Sequence, residues 1–268
     1  MKRPRAPAIC RRRSARNGKR NGTADCALHR FPESPCRIRF NGGLGAAVAS
    51  RGEVLARYRH LREISKRHHS EVMDFLSRDA VFHHARRLGL TVGRTLVLDS
   101  MDVMTLAFDL AIHTAPADRS RAIDRYARSA RLTPESDEAI VLEAMCRARF
   151  AIVRVVRRHE AAGLILSDIF RRIELWLVDE GLESSLPDGS MLATRFYTPG
   201  AFSMTAGVIV PIDLELMEDA IAELPQLRRK LVAEAVDDRR FAEAIYRVAI
   251  ANGIMEQVAY RDPQREAS

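Results

Sequence analysis

At 268 residues, with 47 % apolar and 29 % charged side chains, the chain suffices for one large domain or two modest ones and has the composition of a globular protein. Its formal charge of +8 is confined to one end: residues 1–50 hold twelve Lys/Arg against two Asp/Glu, and the other 218 hold 31 against 33. The body is close to neutral, which removes any argument from the high pI to a nucleic-acid-binding fold.

The first 50 residues read MKRPRAPAICRRRSARNGKRNG and continue with scattered Pro, Gly and Cys. Without apolar periodicity such a segment is expected to be a disordered basic tail, because it buries too little surface to offset its ordering entropy. It is either a dispensable extension or an arm that grips nucleic acid or an anionic membrane by counterion release. No secretory-type apolar run follows the basic stretch, and no window reaches the ~18 apolar residues of a membrane span, so a cytoplasmic location is expected. Cys10, Cys26 and Cys36 match no zinc spacing, and Cys146, among Ala144, Met145 and Ala148, reads as a small buried residue.

From Glu53, the apolar residues Val54, Leu55, Tyr58, Leu61 and Ile64 form one helical stripe. Ser77 is placed to cap a second helix running to Leu88, with Gly89 ending it in left-handed geometry. A short extended link follows at Thr95 to Leu98. Asp99-Ser100 then opens the most apolar helix, MDVMTLAFDLAIH, which is expected to sit centrally. DRSRAIDRYARSA is a more polar helix, and Thr133-Pro134 is expected to start another, with Glu135, Asp137 and Glu138 complementing its dipole.

The period then shortens to two. FAIVRVV, GLILSDI, RIELWLV, SMLATRFY and FSMTAGVIV are rich in β-branched and aromatic residues, with turns at Glu160–Gly163, Asp179–Gly181, Pro187-Asp188-Gly189 and Pro199-Gly200. Five such strands point to a small antiparallel barrel or a strongly bent sheet. After Pro211, Asp213 caps LELMEDAIAEL, Pro225 starts a further helix, and RRFAEAIYRVAIANG closes the pattern at Gly253. The reading is α+β: a basic tail (1–50), a helical domain (51–148), a five-stranded β-module (149–212), C-terminal helices packing on the body (213–260) and a short tail (261–268).

The pieces GRTLVLDSMDVMTLAFDLAIH, SDEAIVLEAMCRARFAIVRVV and LVDEGLESSLPDGSMLATRFYTPGAFSMTAGVIVPI resemble a group of uncharacterised bacterial proteins over about residues 57–215. The resemblance implies one recurring structural unit. It implies no activity, and so no catalytic residues to carry over.

Three constellations hold candidate chemistry. His68-His69 and His83-His84, with His60 before them, lie on two helical stretches and could present ligands to zinc, copper or nickel. Adjacent helical histidines point about 100° apart and no HExxH spacing supports them, so exposed or capping roles are expected. Asp102 and Asp109 share a helix face with His113 one turn on, a set able to hold Mg²⁺ or to do acid–base work. The simpler account makes Asp99 or Ser100 a cap, Asp102 a first-turn acid and Asp109 part of a polar stripe. In the β-module, Trp176 falls in phase with Arg172 and Glu174. With Arg154, Arg195 and Tyr197 it would make a contact surface on which bases could stack, although docking of the indole against the helices is the leading expectation. Residues 147–195 hold eight Arg and seven Asp/Glu, too balanced for a groove that tracks a phosphate backbone.

No GxSxG elbow, GxGxxG or GxxxxGK[ST] loop is present, and Asn41-Gly42-Gly43-Leu44-Gly45 lacks a preceding strand. The leading expectation is a non-enzymatic interaction protein, without a cofactor, that binds a protein or nucleic acid through the β-module. The alternatives are a metal-dependent hydrolase using Asp102, Asp109 and His113, and a nucleic-acid binder using the basic arm.

Overall fold

In a computed structural model of the chain, residues 49–97, 102–116, 118–224 and 236–254 are described. The expectations for the basic tail, Asp99-Ser100, the helix after Pro225 and residues 261–268 lie outside them.

Helix α1 (Arg51–Met73) begins at a capping box: Ser50 accepts from the Glu53 amide while the Glu53 carboxylate reaches back to the Ser50 amide. Its expected stripe is the face it buries, Val54, Tyr58, Leu61 and Ile64, extended by Ser65, His68 and Val72. Helix α2 (Arg78–Arg87) is capped by Ser77 and stops at Gly89, whose φ of +82° is the left-handed geometry expected there. A two-residue hairpin, β1 (Thr91–Val92) with β2 (Thr95–Leu96), precedes α3 (Asp102–His113), the apolar central helix. Helices α4 (Ala122–Ser129) and α5 (Asp137–Cys146) follow. The last begins three residues later than Thr133-Pro134 suggested. Ser136, not Thr133, caps it, and Glu135 at φ +65° interrupts helical geometry between proline and cap.

Strands β3 (Arg149–Arg158), β4 (Leu164–Asp168), β5 (Ile173–Leu177), β6 (Met191–Tyr197) and β7 (Met204–Pro211) form one antiparallel sheet in the order β5-β4-β3-β6-β7. Between β5 and β6 lies α6 (Glu180–Ser185), where the sequence suggested only a turn; Asp179 accepts from the Leu182 amide and nucleates it. Helices α7 (Leu214–Ala222), capped by Asp213, and α8 (Arg239–Ala251), capped by Asp238, complete the described chain.

The sheet bends strongly without closing. Register shifts fall between Val155 and Arg157 and between Thr194 and Phe196. They swing the two edges together at one corner, where the Val178 amide donates to the Ser203 carbonyl at 3.0 Å and the Ser203 amide to the Trp176 carbonyl at 2.7 Å. That single bridge leaves an open bent sheet rather than a barrel.

Alternation along β3 divides the core. Phe150 and Ile152 face α3, α7 and α8, joined by Ala193 and Val210. Ala151, Val153 and Val155 face the inside of the bend, with Leu166, Leu175 and Leu192, and Leu182 of α6 covers them. A third cluster joins Tyr197, Met204 and Val178 to α1, α4 and α5. The described residues belong to one compact unit, and its cores draw on all three middle segments of the sequence division. Four of the five arginines of α1 are paired within it, Arg57 with Asp137, Arg59 with Glu180, Arg51 with Glu183 and Arg67 with Glu138, and Arg62 donates to the Thr205 carbonyl.

Gly163 ends the β3–β4 connection at φ +80°, and a Cβ there would overlap the Leu177 carbonyl oxygen and lie 3.0 Å from Val178 Cα. Gly189 has a similar φ of +87° but open space around it. Gly163→Ala is therefore expected to cost about 2–4 kcal/mol, and Gly189→Ala about 1 kcal/mol, from strain alone. Urea unfolding midpoints of the two variants test the difference; equal losses would contradict the packing at Leu177.

Candidate functional site

The middle of the protein contains a buried ion pair. Arg195 of β6 donates to both carboxylate oxygens of Asp109 on α3, Nε to Oδ1 at 2.9 Å and Nη2 to Oδ2 at 3.0 Å, with both side chains almost wholly buried. Tyr246 of α8 donates its hydroxyl to Asp109 Oδ2 at 2.9 Å. Burial alone would raise the Asp109 pKa, but the Arg195 guanidinium and the Tyr246 hydroxyl together hold it below the usual carboxylate range. The carboxylate set read from the sequence is corrected here. Asp109 is not on a polar stripe and not open to a metal, because a guanidinium and a phenol occupy its oxygens. His113 is buried beside it, and the Asp102 side chain lies outside the described residues. Among the described residues, no three His, Cys, Asp or Glu side chains are grouped to hold a metal.

The histidines also depart from expectation. His68 is buried, bonded to the Tyr126 hydroxyl at 2.6 Å and the Glu138 carbonyl at 3.0 Å. His69 takes the Ser65 carbonyl at 2.9 Å through Nδ1, and Tyr197 donates to Ser65 Oγ at 2.6 Å. His60 and His83 stay exposed as expected, His60 against Asp137. The apolar stripe of α1 hid the burial of His68, since a histidine at a core position satisfied by a tyrosine is indistinguishable in sequence from an exposed one. Cys146, expected to be buried, is partly exposed.

The residues of the β-module contact surface separate. Arg195 and Tyr197 are buried at 6 % and 2 % exposure, which takes them out of any stacking surface. Trp176 is half-buried: its N–H donates to the Ala162 carbonyl at 2.7 Å, His159 stacks on one face at 3.9 Å, and Phe202 meets it edge-on. The indole packs with the cluster that includes α1, α4 and α5. Arg154 and Arg172 are exposed.

A site the sequence did not announce lies between α2, the loop joining α3 to α4, and the first turn of α8. It is a cavity of about 790 Å³, within the range of small-molecule sites. Five arginines line it, Arg87, Arg119, Arg125, Arg239 and Arg240, against three carboxylates, Asp79, Asp118 and Glu243. Two of the arginines have acidic partners: Arg87 holds Glu243 at 2.6 Å and Arg240 holds Asp238 at 2.8 Å. The other three have no carboxylate partner among the described residues. Arg125 donates to the carbonyls of Ser120 and Phe75 at 2.5 and 2.6 Å, Arg239 donates to the Ala115 carbonyl, and Arg119 is exposed. The first turns of α2, α4 and α8 all reach the rim, through Ala80, Ala122 and Arg239, adding the positive ends of three helix dipoles.

His84 forms part of the wall. The Thr114 hydroxyl donates to the Leu110 carbonyl at 2.7 Å, leaving its oxygen as an acceptor for His84 Nε2 at 3.5 Å. Nδ1 of His84 is buried without a partner among the described residues, as are Nε2 of His69 and Nδ1 of His113. Burial, then the neighbouring His83, lowers the His84 pKa to about 4; burial lowers His69 and, more strongly, His113.

A family model described as a family of unknown function (DUF7986) matches residues 53–259, so the chain belongs to that family. The match covers all but the first four described residues and runs beyond both ends of the resemblance read at 57–215. No curated protein and no solved structure matches the chain.

Two expectations follow from this interior. Arg195→Leu leaves the Asp109 carboxylate buried without its cation and is expected to destabilise the fold by about 3–5 kcal/mol, measured by chemical unfolding at pH 7. Lowered histidine pKa values mean that the unfolded chain takes up protons below about pH 6.5 that the folded chain refuses. Stability is therefore full above that pH and falls as pH drops, the His84 share continuing to about pH 4. His84→Gln should make the unfolding free energy less steep in pH between 6.5 and 4, and an unchanged slope would refute this role for His84.

Proposed function

We propose that the protein is a binding protein for a small anionic molecule, taken up in the arginine-lined cavity through its phosphate group. The observation that carries this reading is the set Arg119, Arg125 and Arg239: three guanidinium groups without carboxylate partners among the described residues, converging on one cavity. A planar guanidinium matches two phosphate oxygens at once, and Arg125 and Arg239 are already fixed by backbone carbonyls, so little side-chain freedom is lost on binding. Helix first turns at the rim favour the same charge. On α1, by contrast, Arg51, Arg57, Arg59 and Arg67 each meet a carboxylate that cancels their charge at short range.

This keeps the interaction-protein class expected from the sequence and moves its surface from the β-module to the helices. A β-module surface would now rest on Arg154 and Arg172, the two of its five residues that are exposed. A hydrolase using Asp109 would first have to displace Arg195 and Tyr246 from it.

Titration calorimetry with inorganic pyrophosphate, a compact multivalent phosphate probe, tests the reading. One saturable site is expected, weakening as NaCl rises from 50 to 300 mM. Arg119→Gln should weaken it about tenfold, the loss of one charge-assisted contact, with the unfolding midpoint unchanged because Arg119 is exposed. No saturable heat at millimolar pyrophosphate, or full affinity in an Arg119→Gln, Arg239→Gln double variant, would overturn it.

A further inference from the structure

Resting on the anion-site reading above, we infer that the natural ligand is a phosphorylated polyol, of the sugar phosphate class, with its phosphate on the arginines and its hydroxyl groups on Asp79 and Asp118. The cavity is not uniformly basic. Asp79, in the first turn of α2, and Asp118, in the loop before α4, line the same space as the arginines, and neither pairs with a cation among the described residues. A carboxylate that faces a cavity without a cation accepts hydrogen bonds, and a ligand with several hydroxyl donors supplies them. Arg119 directly follows Asp118 in the same loop, so an acceptor and a guanidinium group line the cavity from adjacent positions.

The walls argue against two other kinds of phosphate ester. Between the charged groups they are mostly small, Ala80, Ala111, Ala115, Pro116 and Ala122, without a Phe, Tyr or Trp, and the imidazoles of His83 and His84 in the lining meet edge to face 5.4 Å apart, so each is already engaged by the other. A ligand whose body carries an ammonium group would satisfy the aspartates, but it would enter a cavity in which five arginines outnumber three acids. A neutral polyol body satisfies Asp79 and Asp118 without that repulsion and leaves the full phosphate charge for Arg119, Arg125 and Arg239.

The test is a titration series on the full chain with inorganic phosphate, ribose 5-phosphate, AMP and phosphoethanolamine. AMP adds a base to the sugar phosphate, and phosphoethanolamine replaces the polyol by a cation. Ribose 5-phosphate is expected to bind at least tenfold more tightly than each of the other three. In an Asp79→Asn, Asp118→Asn double variant, that advantage over inorganic phosphate should disappear while inorganic phosphate itself binds equally or more tightly. AMP binding tightest would assign the cavity to a nucleotide, and phosphoethanolamine binding tightest would assign the aspartates to a cation; either overturns the inference. Equal affinity for inorganic phosphate and ribose 5-phosphate also overturns it while leaving the anion site standing. Failure of all four to bind would remove the anion site itself.

Discussion

Asp109 and Arg195 hold the structure in register. Each ion is costly to bury, and the pair is tolerated because the geometry is two-pronged and the Tyr246 hydroxyl completes the carboxylate. The consequence is positional. A carboxylate of α3, a guanidinium of β6 and a phenol of α8 have to meet at one point, which fixes the central helix, the middle of the sheet and the last helix relative to one another. Apolar packing around the pair would tolerate small slides; a bidentate contact at 2.9 and 3.0 Å would not. The Phe150 ring lies 5.9 Å under the Arg195 guanidinium and meets the Tyr246 ring edge-on, so the same point is also packed from β3.

The cavity inherits its shape from this anchor. Its inner wall is the C-terminal end of α3, from Ala111 to Thr114, little more than one turn beyond Asp109. Its floor toward α8 is the Arg87–Glu243 pair, one turn before Tyr246 on the same helix. Tethering both helices through Asp109 sets the distance between these walls. The buried histidines serve the same economy of charge. Burial lowers the pKa of His113 and His69, so neither adds a second positive charge beside the Asp109–Arg195 pair.

Much of the fold was legible because it rests on local rules. Ser77, Gly89, Asp213 and the apolar stripe of α1 each do what spacing alone requires, and five short alternating runs became five antiparallel strands. The misplacements have local causes. Glu135 in left-handed geometry separates Pro134 from the helix it was expected to start, and Asp179 caps a short helix that six residues of sequence could not separate from a turn. The fate of the candidate residues was not legible, because burial of a polar side chain depends on partners distant in the chain. Arg195 reads as a surface arginine on an amphipathic strand until Asp109, 86 residues away, is placed beneath it.

The cavity was hidden for a further reason, which also bears on what it is for. The body of the chain is almost neutral, and a neutral total does not show where charge is left unpaired. Pairing in the fold does. Where the basic residues of α1 meet Asp137, Glu138, Glu180 and Glu183, they cancel at short range. The arginines at positions 119, 125 and 239 come from three separate segments and share no motif, yet the fold delivers them to one cavity without carboxylate partners among the described residues. Carbonyl oxygens of the protein hold two of them in place, and a carbonyl orients a guanidinium without neutralising it. An arrangement that positions cations and leaves their charge uncompensated is the one a phosphate requires.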